Sequence, residues 1–354
     1  MLLTDATAAT RGVSCAAMAW FDRVRPRHDG ALAATVGGII DRVKHRNAAL
    51  ELDERDRLDG SACLVTGANR GLGLAIAKDL ARRGGDLILA CRSGLDAARA
   101  DVASAAHERA SVEARELDLA RLSSVESFCD RLAADGVRLD VLVLNAGVVP
   151  REARKTEDGL DESFQVNVLA NVLLVQRLRE RGLFVAEEGV WPRVVVVSSE
   201  SHRSAPPLDW DGFGSFRPWG MREAVKQYGY GKLLLQTWTA ELARRTRGEL
   251  AVHSLCPGAV RTDIGREAPG LTKPLLELTM RAFFVEPERA AAPAVYLAAS
   301  RRLEHETGIY LHGKRRREPR EDTLDADNGR RMWERSAALL EALGHPLAPA
   351  KERG

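Results

Sequence analysis

The stretch T-G-A-N-R-G-L-G, residues 66–73, constrains this chain more than any other. It follows a short apolar run, SACLVT (61–66), and opens a segment with helical spacing, GLGLAIAKDLARRG (71–84). Glycines at a strand-to-helix turn let the backbone approach a pyrophosphate. The helix N-terminus adds free N–H groups and the positive end of its dipole. Taken alone, the glycines could form a turn with no ligand. The strand before and the helix after favour a phosphate loop. Its spacing is Gly-x3-Gly-x-Gly, unlike the Gly-x-Gly-x2-Gly of many dinucleotide-binding folds. Gly67, Gly71 and Gly73 are the candidate phosphate positions. Asn69, Arg70 and Leu72 stand in the same loop.

The rest of the chain repeats that alternation. Segments at 86–91, 111–119, 139–147, 193–199, 251–258 and 308–313 read as strands. Helical spacing falls at 95–110, 121–135, around 160–181, 224–247 and 287–300, and a helical tail follows. Several runs are apolar throughout, as parallel strands covered on both faces are. The expected fold is α/β, a doubly wound parallel sheet of the Rossmann type. It forms a single domain over 58–354, with residues 1–57 as an N-terminal helical extension.

Composition narrows the function. Lys+Arg is 52 and Asp+Glu is 50, a net charge of +2, so bulk charge gives no nucleic-acid partner. Cys15, Cys63, Cys91, Cys129 and Cys256 are scattered and form no C-x-x-C pair. That argues against a disulfide framework and a zinc site and for a reducing, cytoplasmic setting. No metal is expected, since the His and carboxylate spacings match no ligand set. No apolar run reaches the roughly 18 residues of a spanning helix. Peripheral membrane contact and a homo-oligomer stay open.

The second strand ends L-I-L-A-C-R-S, with Cys91 and Arg92 where an NAD-binding fold usually carries the acid for the ribose 2′-hydroxyl. Arg92, helped by Arg70, could instead pair with a 2′-phosphate. The bland alternative is two solvated arginines. The balance favours NADP(H) over NAD(H).

Tyr228 and Lys232, in Q-Y-G-Y-G-K, stand at i and i+4 on one face of the long helix. An ammonium beside a phenol favours phenolate, and the phenol can then exchange a proton with a carbonyl or alcohol oxygen. Tyr230 faces elsewhere. The pair follows the strand R-V-V-V-V-S-S, whose C-terminal end is where such sheets bind ligands. Ser198 and Ser199 stand there. Alternation lets only one of them face the pocket, and spacing does not say which.

These residues together resemble the short-chain dehydrogenase/reductase family, and more weakly its retinol dehydrogenase-like subgroup. The match is carried by TGANRGLG, LDL (117–119), LNAG (144–147), FQVNVLA (164–170), VSS (197–199), YGYGK (228–232) and CPGAVRT (256–262). The subgroup cues are ILACRS, TEDGLDESFQVN, VVVVSSESH and NGRRMWERSAALLEAL. The resemblance implies that the loop glycines line the cofactor phosphates, with Asp118 and Leu119 at the adenine. Asn145, Ala146 and Gly147 would border the adenosine ribose, and Asn167 would hold a proton-relaying water. Ser199 would orient the substrate oxygen and Tyr228 would be the acid/base. Lys232 would hold the nicotinamide ribose and tune Tyr228. Pro257, Gly258, Val260 and Thr262 would contact the nicotinamide end. Leu144 replaces a usual asparagine. Residues 1–57 have no counterpart in the minimal family core, and the vertebrate membrane anchor is not expected.

The expected activity is NADP(H)-dependent interconversion of a carbonyl and an alcohol on a fairly apolar substrate. Alternatives are a double-bond reductase and a non-catalytic NADP-binding sensor or scaffold. Two segments could roof an apolar substrate: the insert 200–227, with Trp210, Phe213, Phe216 and Trp219, and the stretch 268–287, with Phe283. The insert reads equally as a loop anchored by buried aromatics, and the second stretch as core or interface. His202 reads as structural. The basic run KRRREPR (314–320) reads as a solvated loop.

Overall fold

The computed structural model describes residues 50–184, 186, 190–258 and 285–348. The strands are β1 (Ala62–Thr66), β2 (Asp86–Cys91), β3 (Val112–Glu116), β4 (Val141–Leu144), β5 (Arg193–Val197), β6 (Ala251–Cys256), β7 (Tyr310–His312) and β8 (Arg315–Arg316). The main helices are α1 (Gly71–Arg82), α2 (Leu95–Ala103), α3 (Leu122–Ala134), α4 (Ala170–Glu180), α5 (Ala224–Arg245), α6 (Pro287–Ala299) and α7 (Ala326–Ala342).

The strands form one sheet in the order β3-β2-β1-β4-β5-β6-β7-β8. All neighbours pair in parallel except β7 and β8. This is the Rossmann-type doubly wound sheet that the alternation predicts. β1, β4 and β5 read as unbroken apolar runs because both faces are covered. Leu64, Leu142, Val194 and Val196 face a core shared with α3, α4, α5 and α7, and Cys63, Val65, Val143 and Val195 face one shared with α1 and α6. The chain runs from β1 outward to β3, then crosses back to β4 on the other side of β1. Loops leaving β1 and β4 in opposite directions open a crevice at their C-terminal ends.

Two local features depart from the sequence reading. The basic run is not simply a loop: Arg315 and Arg316 pair antiparallel with β7 as an exposed edge strand. Lys and Arg are usual at such an edge because they discourage further pairing. Ahead of α4, residues Gln165–Leu169 form a π-helical segment, a widened turn often found at functional sites.

Residues 1–49 of the expected extension lie outside the described residues. Its last part is packed: Leu50 and Leu52 rest against the α1/α6 core, and buried Asp56 accepts the Arg301 N–H at 2.8 Å.

Candidate active site

The phosphate turn is built by its glycines. Gly67 (φ +66°) and Gly71 (φ +55°) occupy the left-handed region that side chains disfavour. Gly73 is required for another reason. A Cβ there would lie 2.3 Å from the Gly67 carbonyl oxygen and 2.4 Å from Asn145 Nδ2. Helix α1 starts at Gly71 with no side-chain cap and no acid in its first turn, so no side chain competes with an anion there. Leu72 is buried beneath it.

β4 is tied to this turn. Thr66 Oγ1 accepts the N–H groups of Asn145 and Ala146, each at 3.0 Å. Asn145 Nδ2 donates to the Thr66 carbonyl at 2.9 Å. Asn69 Nδ2 donates to the Ser93 carbonyl at 3.0 Å, joining the glycine loop to the end of β2. Arg70 and Arg92 are exposed, and among the described residues their side chains have no hydrogen bond or ion pair. Cys91 is buried, with its thiol pushed up by burial. Asp118 closes the turn after β3, accepting the Ala120 N–H at 3.0 Å, and Leu119 is buried beside it. A dinucleotide fits this set: a glycine cradle, an uncapped helix N-terminus and two cations unpaired among the described residues, Arg70 in the glycine loop and Arg92 just past β2.

Across the crevice, β5 ends at Val197. Ser198 keeps strand pairing through its N–H, 2.7 Å from the Leu255 carbonyl, and its buried hydroxyl has no partner among the described residues. Ser199 caps the 3-10 turn Glu200–Ser204, its Oγ accepting the Ser201 N–H at 3.2 Å. Its hydroxyl also donates to Ser201 Oγ at 3.1 Å. Of the two serines, Ser199 is the one whose side chain interacts with the Tyr228 phenol and holds it down. Gly229 matters too, since a Cβ there would come 2.8 Å from the Ser201 carbonyl oxygen. This glycine lets α5 lie against the turn and deliver Tyr228 to Ser199. Tyr230 points away, its hydroxyl accepting the Asp209 N–H at 2.9 Å.

Lys232 is buried under the same turn. Its Nζ donates to the Val197 carbonyl at 2.7 Å and sits 5.7 Å from the centre of the Tyr228 ring. Burial pulls the Lys232 ammonium down to about 8. Burial pushes the Tyr228 phenol up to about 12, with Ser199 opposing it. The net direction is opposite to the lowering expected from Lys232, because desolvation is the largest cause. Cys256, at the end of β6, is buried close enough to interact electrostatically with both, and burial pushes its thiol up to about 11.

Asn167 lies in the π segment, fully buried. Its Oδ1 accepts the Val148 N–H at 2.8 Å, and its Nδ2 donates to the Val148 carbonyl at 2.9 Å and to Ser163 Oγ at 3.1 Å. The side chain thus fixes the chain after β4. Gly147 fits beside it, since a Cβ there would stand 3.1 Å from Asn167 Oδ1. Pro257 and Gly258 (φ +85°) follow β6, while Val260, Thr262, Phe283 and most of 268–287 lie outside the described residues.

The aromatic insert is anchored. Phe213 meets Phe164 edge-on at 5.3 Å and Trp210 at 6.2 Å, and all three pack against the core. Trp219 Nε1 donates to Asp161 Oδ2 at 3.0 Å. His202 is structural, bonded through both ring nitrogens. Among the described residues no cluster could hold a metal ion, and no helix is long and apolar enough to cross a membrane. Sequence reasoning missed Glu200 and Arg320, which brace the Ser199 turn. Arg320 was hidden in a run of exposed basic residues.

With this geometry in hand, the comparisons place the chain. The short chain dehydrogenase family profile matches residues 61–208. Human retinol dehydrogenase 14 is 35% identical over 306 residues, covering 81% of this chain and 88% of the relative. Human retinol dehydrogenase 13 is 34% identical over 315 residues, covering 86% and 92%. A solved structure from Beutenbergia cavernae, assigned as an NAD(P) dependent gluconate 5-dehydrogenase with NADP at low occupancy, is 27% identical. It has a TM-score of 0.56 and covers 73% of this chain and 97% of that one. The chain belongs to the short-chain dehydrogenase/reductase family, in its retinol dehydrogenase-like subgroup. It is an NAD(P)-dependent oxidoreductase acting on CH-OH groups.

Proposed function

We propose that this enzyme uses NADP(H) in preference to NAD(H), interconverts a carbonyl and an alcohol on a fairly apolar substrate, and uses Tyr228 as acid/base. The observation that carries the reading is the contact between Tyr228 and Ser199, with Lys232 buried behind them. The cofactor, when bound, supplies or accepts the hydride. Ser199 holds the substrate oxygen by a hydrogen bond, and Tyr228 gives that oxygen a proton in reduction or removes one in oxidation. A phenol held up near 12 is protonated at neutral pH, which suits donation in reduction. Gly67, Gly71 and Gly73, with Asn69 and Leu72, carry the cofactor phosphates. Asp118, Leu119, Asn145, Ala146 and Gly147 flank the adenosine, and Pro257, Gly258, Val260 and Thr262 the nicotinamide end. Asn167 holds the chain after β4 in place beside them.

Preference for NADP(H) rests on Arg92 and Arg70, cations without partners among the described residues where a 2′-phosphate would sit. An apolar substrate is supported by the relatives named as retinol dehydrogenases. Cytoplasmic placement belongs to this proposal, with Cys63, Cys91, Cys129 and Cys256 as free thiols. The test is NADPH consumption with a panel of straight-chain aldehydes, ketones and retinal. Turnover that improves with apolar chain length supports the proposal. Tight NADPH binding without turnover on any carbonyl would favour a cofactor-binding sensor instead.

A further inference from the structure

The turn that carries Ser199 is held from behind by a segment more than a hundred residues away. The Ser199 carbonyl accepts two hydrogen bonds from His202, one from its N–H at 3.2 Å and one at its ring Nδ1 at 2.6 Å. The partners fix the tautomer. The Arg320 N–H can only donate, and it meets His202 Nε2 at 3.1 Å, so Nδ1 carries the proton. Burial pulls the His202 imidazole down, which keeps it neutral for both roles.

Arg320 then spans the end of the 3-10 turn. Its Nη1 donates to the carbonyls of Ala205 at 2.6 Å and His202 at 3.2 Å, and its Nη2 to that of Pro206 at 3.3 Å. The guanidinium is itself oriented by Asp322, with Nε 2.7 Å from Oδ1. Carbonyls at a helix end need donors from elsewhere, and here one planar fork supplies them to three residues. A second strut starts at Glu200, next to Ser199. Its carboxylate accepts from the Tyr310 hydroxyl at 2.6 Å, Arg203 Nε at 3.0 Å and Arg317 Nη1 at 3.3 Å. Neither Arg320 nor Tyr310 lies within residues 61–208.

We propose that Arg320 and His202 are positioning residues for turnover, together fixing the main chain behind Ser199 so that its hydroxyl stays beside Tyr228. The proposal rests on the roles given above to Ser199 and Tyr228. It has a signature that loss of folding lacks. Arg320 and His202 hold the turn and not the glycine cradle, so their loss should lower kcat while NADPH affinity stays, and a side chain that can still donate to the Ser199 carbonyl should rescue it.

The test compares Arg320→Lys, His202→Leu and His202→Asn with Ser199→Ala. It reads kcat and KM for alcohol oxidation, folded content by circular dichroism, and NADPH affinity by fluorescence titration. Arg320→Lys and His202→Leu are expected to lose kcat by about 10- to 100-fold, the scale of a small misplacement at a reacting centre. NADPH affinity should stay within about twofold and folded content should stay at the wild-type level. Asn can still donate to the Ser199 carbonyl, so His202→Asn should recover most of the His202→Leu loss. If Arg320→Lys fails to fold, the His202 pair carries the test. The proposal is overturned if these variants keep wild-type kcat while Ser199→Ala loses it, or if their loss follows folded content and His202→Asn recovers none of it. Full turnover by Ser199→Ala would instead overturn the reading of Ser199 on which the proposal rests.

Discussion

Lys232 holds its ammonium 5.7 Å from the centre of the Tyr228 ring while donating to the Val197 carbonyl 2.7 Å away. The cation is therefore moored to the strand end behind the phenol. Mooring it costs stability, since a buried ammonium with one acceptor among the described residues is poorly compensated for lost hydration.

That cost is measurable through pH. The Lys232 ammonium falls from 10.5 to about 8 on folding, so between those values the unfolded chain binds a proton that the folded chain does not. Stability from this group therefore rises with pH through that window, and the burden is full below about pH 8. Lys232→Met should be more stable than wild type at pH 7, by at most about 3 kcal/mol. The gap should close towards pH 10.5, the group's ordinary value. Thermal unfolding from pH 6 to 10.5 reads this, and a variant less stable than wild type at pH 7 would contradict it.

The cradle at Gly73 gives a second expectation. An alanine methyl would meet the Gly67 carbonyl at 2.3 Å, and backbone cannot swing aside as a side chain can. Gly73→Ala should cost about 1–3 kcal/mol of stability and weaken NADPH binding at least tenfold. Calorimetry and fluorescence titration measure the two effects. Unchanged cofactor affinity would mean that the turn does not carry the phosphates.

Cofactor choice turns on Arg92. Arg92→Asp should lower the ratio of kcat/KM for NADP(H) over NAD(H) by roughly tenfold or more, since a charge-assisted hydrogen bond is worth about 1.5–3 kcal/mol. An unchanged ratio would free Arg92 of that role and leave Arg70 as the remaining candidate.

Trp210 separates anchor from flap. It packs with Phe213 against the core, so Trp210→Ala should lower the melting temperature and leave the dependence of KM on aldehyde chain length in place. A flattened dependence in a variant of normal stability would make Trp210 part of the substrate cover.

Much of the fold was legible because strands buried on both faces read as apolar runs, as in CLV (63–65) and VVVV (194–197). The glycine turn and the Tyr228–Lys232 spacing were legible for the same kind of reason: local geometry needs those residues at those intervals. β8 was not, because an exposed two-residue edge such as Arg315–Arg316 carries no apolar pattern. The choice of Ser199 over Ser198 depended on the cap of the turn that follows. The upward shift of Tyr228 depends on depth of burial, which spacing does not encode. Arg320 looked like its exposed neighbours because its partners are main-chain carbonyls far away in sequence.

The most direct test of the account is the turnover of Tyr228→Phe beside its NADPH affinity. Removing the hydroxyl keeps the ring under which Lys232 is buried and takes away the transferable proton. The account predicts NADPH affinity within about twofold of wild type and a fall in turnover of about 10²-fold or more, the scale of general acid/base catalysis. Turnover near wild type, with the cofactor still bound, would contradict it.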